Sequence, residues 1–225
     1  MKVTVLMTAL LISFGALTNH ARPVIPAVIV DERLSVLRRS PGFDGAYISR
    51  LSHGKIIIPL DERRMDDIVF AKIRTATGQL GWIQRDSFVK SGVKGEDERL
   101  LRLISVGTQF DRIARVRIFC ELFRNSRNMP AVLLTGGDLV ETAAQKLTSD
   151  AKKKFTDESQ AGLPPLWTLY SNFAGLSRFR KLGVQIFLSR SDLSFHYDGH
   201  WWKEILRRFP DSPEAREAAK RLGDR

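Results

Sequence analysis

The feature that most constrains this chain is a change of apolar rhythm at Gly92-Val93-Lys94-Gly95. Before that point apolar residues form short, β-branched clusters, at 28–30, Leu34/Val36, Tyr47/Ile48, 56–58, 68–73 and 80–83. Pro41-Gly42, His53-Gly54, the charged stretch 61–67 and Gly78 separate them. Short β-branched runs broken by turn residues predict a small barrel or sandwich over residues 27–90. A hairpin is expected from 70–73, through a turn at 74–78, to 79–83. Gly81 beside Trp82 reads as a strand position approached closely by another backbone.

After Gly95 the spacing becomes three and four. Val116, Phe119, Cys120 and Phe123 fall at i, i+3, i+4 and i+7, one face of a helix, and Trp202, Ile205, Leu206 and Phe209 do the same. A proline follows each stripe, Pro130 or Pro213. A second, alanine-rich stripe comes next: Val140, Ala143, Ala144 and Leu147, or Ala215, Ala218, Ala219 and Leu222. Ser212-Pro213 predicts a capped helix start, and Asp138 with Glu141 predicts another. The polar stretch 152–165, ending in Pro164-Pro165, reads as a loop. Residues 95–225 are therefore expected to be all-helical, built of hairpins that look like two copies of one unit.

Two resemblances sit on these patterns. Leu34-Ser35-Val36, Arg38, Leu51, Gly54, Phe70-Ala71-Lys72-Ile73 and Gly78-Gln79-Leu80-Gly81-Trp82-Ile83 resemble the bacterial SH3 (SH3b) domain over about 60 residues. Phe70 stands where that family often carries Trp, and Leu37 is inserted between Val36 and Arg38. The resemblance implies an SH3-like β-barrel serving as a binding module, of a kind that accompanies cell-wall hydrolases and in some cases recognises peptidoglycan peptides. Residues 201–222, with the linker Phe209-Pro210-Asp211-Ser212-Pro213, resemble a tetratricopeptide-type helical repeat, although Asp198 and Gly199 stand where a small residue is expected in its first helix.

The N-terminus reads as a signal peptide over residues 1–21: Lys2, an apolar or small run over 3–17, and a small residue, Ala21, at the cut. The run is shorter than the ~20 residues that span a bilayer, so the expectation is a cleaved leader and export to the periplasm or cell envelope. With 36 Lys and Arg against 25 Asp and Glu the chain is at +11, and at +10 without Lys2. In a cytosolic protein that balance points to nucleic acid; for an exported one it points to anionic envelope polymers, and no nucleic acid is expected. The basic residues are dispersed, with 152–154 the longest run. Cys120 is the only cysteine, so no intramolecular disulfide is possible and the fold must rest on its apolar core.

Chemistry-bearing patterns are sparse. His196 and His200 are four apart but lack a third ligand at motif spacing, so no metal site is expected. Cys120 lies on an apolar stripe, where it serves as a small hydrophobe. Glu158-Ser159 is similar to the catalytic pair of lytic transglycosylases, without the segment that follows it there. No catalytic residue and no cofactor are predicted. The candidates are contact residues: Tyr47, Phe70 and Trp82 for a groove on the β-domain, and Trp201 for a protein interface, because only one ring of Trp201-Trp202 fits a core stripe. The expected function is an exported, non-catalytic binding or scaffolding protein. Its barrel would bind peptidoglycan or a protein segment and its helices would dock another envelope protein. The alternative is a cell-wall-processing enzyme or its accessory subunit.

Overall fold

A computed structural model describes residues 25–156 and 166–223. The expected leader at 1–21 and Glu158-Ser159 lie outside the described residues. The first part is an antiparallel sheet of seven strands: β1 (Ala27–Ile29), β2 (Val36–Arg38), β3 (Tyr47–Arg50), β4 (Ile56–Met65), β5 (Ile68–Thr75), β6 (Leu80–Gln84) and β7 (Phe88–Lys90). Their order is β3-β2-β6-β5-β4-β1-β7, and no ladder joins the end strands β3 and β7. One face carries Ala27, Ile29, Leu37, Ile57, Ala71, Ile73, Ile83 and Phe88, all buried together. Alternation along each strand puts these side chains on one side and their neighbours on the other.

The β5–β6 hairpin pairs Phe70 with Gln84 and Arg74 with Leu80, as the sequence predicts. Gly81 sits where a Cβ would lie 2.7 Å from the Arg38 carbonyl oxygen, the close backbone approach expected of it. The charged stretch 61–67 is not a loop. Asp61 to Met65 continue β4 against β5, and Asp66-Asp67, both at positive φ (46° and 62°), form the two-residue turn. This half of β4 is exposed on both faces, so it lacks the apolar alternation that marks a strand.

The helical part contains α1 (Glu96–Ile104), α2 (Gln109–Leu122), α3 (Met129–Thr156), α4 (Leu166–Ser171), α5 (Ala174–Lys181), α6 (His200–Arg208) and α7 (Pro213–Gly223). Thr108 and Asp111 close a reciprocal capping box at the start of α2. Ser212 Oγ accepts from the Ala215 N–H (3.2 Å) ahead of Pro213 in α7, as its sequence predicts. Three expectations are corrected. The region is not all-helical, because β8 (Ile186–Ser189) and β9 (Ser194–Tyr197) form an antiparallel hairpin lying on α3. Its rhythm, Ile186/Leu188 and Phe195/Tyr197, is of period two. Asp138 starts no helix: α3 runs unbroken from Met129, and the Asp138 carboxylate receives Arg221 of α7 at 2.6 and 3.1 Å. Residues 152–156 are the last turns of α3, not a loop.

Sheet and helices share a core, since Val30 and Val89 bury among Leu100, Ile104, Val116 and Phe119. Arg115 of α2 crosses this seam, and Glu96 of α1 accepts from Arg85 at 2.7 Å.

Candidate functional site

Strand register gathers the three β-domain candidates on one face. Tyr47 stands opposite Arg38, Arg38 opposite Trp82, Trp82 opposite Lys72, and Lys72 opposite Asp61. Phe70, two residues before Lys72 and opposite Arg63, lies beside that row. Their exposures differ sharply: Tyr47 is 65% exposed, but Phe70 is 2% and Trp82 6%. Phe43 meets Phe70 edge-on at 5.6 Å, and the Arg63 guanidinium lies 5.3 Å from the centre of the Trp82 ring. Phe70 and Trp82 therefore form the floor of this face rather than open ring surfaces. The side chains a ligand would touch are Tyr47, Phe43 (56% exposed) and Arg63. Arg38 is held there by donating to the Gly45 carbonyl at 2.9 Å.

Trp201 lines a cleft of about 470 Å³ between α2 and α6. Two adjacent glycines of α3 let the indole pair pack. A Cβ on Gly136 would meet the Trp201 ring at 2.6 Å, and one on Gly137 would overlap Trp202. Trp202 is buried and Trp201 half-buried, its backbone N–H donating to the Tyr197 hydroxyl at 2.7 Å. Four arginines and two glutamates line the cleft: Arg117, Arg124, Arg207 and Arg208 against Glu121 and Glu204. The hydrogen bond from Arg207 leads in holding the Glu204 carboxyl below its ordinary value. Nothing in the sequence announces this cluster, because its arginines are single or paired residues on separate elements. Only the i, i+3 and i+4 spacing of Glu204, Arg207 and Arg208 hints at a joined group.

Cys120 also reaches this cleft, and burial pushes its thiol up to about 12, against a smaller pull from Arg208. His196 and His200 do not share a helix face: His196 is on β9 and His200 opens α6. Ser194, His196 and Asp192 cluster at the tip of the β8–β9 hairpin, with 2.6 Å between Ser194 Oγ and His196 Nε2. The Ser194 hydroxyl, however, donates to Asp192, which hydrogen bonds from Ser189 and Ser194 hold down to about 2. In a serine nucleophile the hydroxyl donates instead to the imidazole. His53 Nδ1 lies 2.9 Å from Glu32 at the seam between sheet and helices. Among the described residues no group of three or more His, Cys, Asp or Glu converges as a metal site, and no helix is long and apolar enough to cross a membrane.

No family model, no curated protein and no solved structure matches this chain.

Proposed function

We propose that this is an exported, non-catalytic binding protein of the cell envelope whose sheet, an SH3-like barrel of the bacterial kind, takes up a peptidoglycan stem peptide or a similar segment. The helical part, with its tetratricopeptide-like α6–α7 pair, is then a platform that fixes the sheet and carries a second contact surface at Trp201. The observation that carries this reading is the row Tyr47–Arg38–Trp82–Lys72. It offers an exposed aromatic ring and cations above a rigid, buried aromatic floor, a surface that costs little entropy to order and suits a peptide bearing carboxylates. In support of a binding role, the one cysteine is held as thiol and the Ser194 hydroxyl is committed to Asp192.

The test is co-sedimentation of the chain with purified peptidoglycan at low and high salt, beside Tyr47→Ala and Phe43→Ala. Both substitutions fall on exposed rings, so folding is not at stake, as it would be for Trp82→Ala. Salt-resistant retention that the variants lose supports the reading. Retention abolished by salt and equal in the variants reduces it to charge attraction, and no retention at all sinks it.

A further inference from the structure

We propose that the cleft between α2 and α6 binds a phosphate monoester carried on a flat or apolar group, the arginines taking the phosphate and Trp201 the group that bears it. This surface is distinct from the sheet face, and the proposal stands or falls without it.

Charge is the first argument. Four guanidiniums face two carboxylates, so the cleft holds an excess of two positive charges before any ligand enters. A phosphate monoester carries close to two negative charges at neutral pH. It would neutralise the cleft, whereas a single carboxylate would cancel half the excess. Geometry is the second. Glu204 accepts from Arg207 through Nε (3.0 Å) and Nη2 (2.7 Å), and from Arg208 Nη1 at 3.4 Å. Arg208 Nη2 donates to the Arg124 carbonyl oxygen at 3.0 Å, tying α6 to the turn after α2. Two guanidinium forks are thus ordered in advance, which removes part of the entropy cost of binding. Arg117 is steadied in the same way by Glu121, at 2.9 Å. Donors remain for a ligand: among the described residues neither Arg207 Nη1 nor the Arg124 guanidinium makes a hydrogen bond, and Arg124 makes no ion pair. Planar forks of this kind match phosphate oxygens two at a time.

Apolar lining supplies the rest. Leu133 and the half-buried Trp201 line the same cleft as the arginines, adding apolar surface for a ring or chain. A volume of about 470 Å³ falls within the ~300–1,000 Å³ range of small-ligand sites. The same phosphate chemistry is found on a soluble ester and on a phosphatidate headgroup, so the test must separate them.

The experiment is titration calorimetry of the full chain with phenyl phosphate, inorganic phosphate and benzoate at one ionic strength, with sedimentation on phosphatidylcholine vesicles with and without phosphatidic acid. Phenyl phosphate is expected to bind saturably and more tightly than the other two. Arg124→Gln and Arg207→Gln should each weaken it about tenfold, the loss of one charged hydrogen-bonding pair. Arg74→Gln, an exposed arginine on β5, should leave it unchanged and so controls for net charge. Arg124→Gln removes no hydrogen bond or ion pair among the described residues, and an unchanged circular dichroism spectrum and melting midpoint would separate its effect from misfolding. Vesicle binding that needs phosphatidic acid and falls in Arg124→Gln assigns the phosphate to a lipid headgroup, and phenyl phosphate binding without it assigns a soluble ester. No saturable binding in either arm, benzoate equal to phenyl phosphate, or an equal loss in Arg74→Gln overturns the proposal.

Discussion

Arg115 of α2 donates from Nη2 to Asp31 just past β1, at 2.9 Å, with both side chains buried in the seam between helices and sheet. The same guanidinium donates from Nε to the Val30 carbonyl (2.8 Å) and from Nη1 to the Leu103 and Val106 carbonyls (2.7 Å each). One side chain thus serves three backbone acceptors and one buried carboxylate.

Removing it should be costly out of proportion to its size. Arg115→Leu takes the donor from the Val30 and Val106 carbonyls, the Leu103 carbonyl keeps the Val106 N–H at 3.3 Å, and Asp31 keeps Arg33 at 2.8 Å. Breaking one side of a buried ion pair typically costs ~3–5 kcal/mol. Urea denaturation followed by circular dichroism and by tryptophan fluorescence should show that loss, with Asp31→Asn losing less because Arg115 keeps its carbonyl acceptors. A loss under ~1 kcal/mol for Arg115→Leu, the net worth of one ordinary hydrogen bond, contradicts the account.

Asp31 also sets an acid dependence. Burial pushes its carboxyl up, but the Arg33 hydrogen bonds and the charges of Arg33 and Arg115 outweigh it, and the net effect is a lowered pKa. A carboxyl that is more acidic folded than unfolded stabilises the fold above its unfolded pKa. That stability disappears as pH falls through the folded value. Thermal melts should therefore fall in midpoint below about pH 4, and the fall should be shallower in Asp31→Asn. Parallel acid limbs in the two proteins would show that other groups control the transition.

In most helices Gly→Ala is stabilising by ~0.5–1 kcal/mol; at Gly136 and Gly137 the sign should reverse. A Cβ at Gly137 overlaps the buried Trp202 indole, and one at Gly136 meets both Trp201 and Val116 at 2.6 Å. Overpacking against a rigid ring costs ~1–3 kcal/mol. Gly137→Ala should be the worse, since Trp202 has nowhere to move while Trp201 borders the open cleft. Chemical denaturation checks the order, and Gly137→Ala combined with Trp202→Phe should lose less than the two single changes together. Stabilisation by Gly137→Ala would mean that the indole does not lie there.

What the sequence disclosed follows from how local each signal is. Strand and helix rhythm, the close approach at Gly81, and the Ser212-Pro213 cap are short-range patterns, and the structure agrees with them. The second half of β4 escaped because Asp61, Glu62, Arg63 and Arg64 pair through their backbones while both faces meet solvent, leaving no alternation to read. The β8–β9 hairpin escaped because each strand has four residues and sits among helical stripes. Asp138 looked like a cap, yet its partner, Arg221, is 83 residues away. At the site, Trp201 was legible because only one ring of Trp201-Trp202 fits a core stripe, and Tyr47 was named only with Phe70 and Trp82 as aromatics for a groove. The arginine cleft was not, since only tertiary packing brings Arg117 and Arg124 to Arg207 and Arg208.

Cys120 offers a direct check on whether any thiol chemistry operates in this chain. It follows Phe119 on α2, and burial raises its thiol to about 12 from an ordinary 9.0. Alkylation proceeds through the thiolate, so the native protein should react with iodoacetamide about a thousandfold more slowly than a free thiol at the same pH. Unfolding in urea should restore the ordinary rate, and Cys120→Ala should cost little stability, because a small apolar side chain keeps the stripe intact. Rate against pH is the informative measurement. A native rate that climbs about tenfold per pH unit through neutrality, with no plateau short of strong alkali, fits a core thiol. A plateau at neutral pH would instead reveal a stabilised thiolate beside Arg208, and the cleft would then have to be reconsidered as a reactive site.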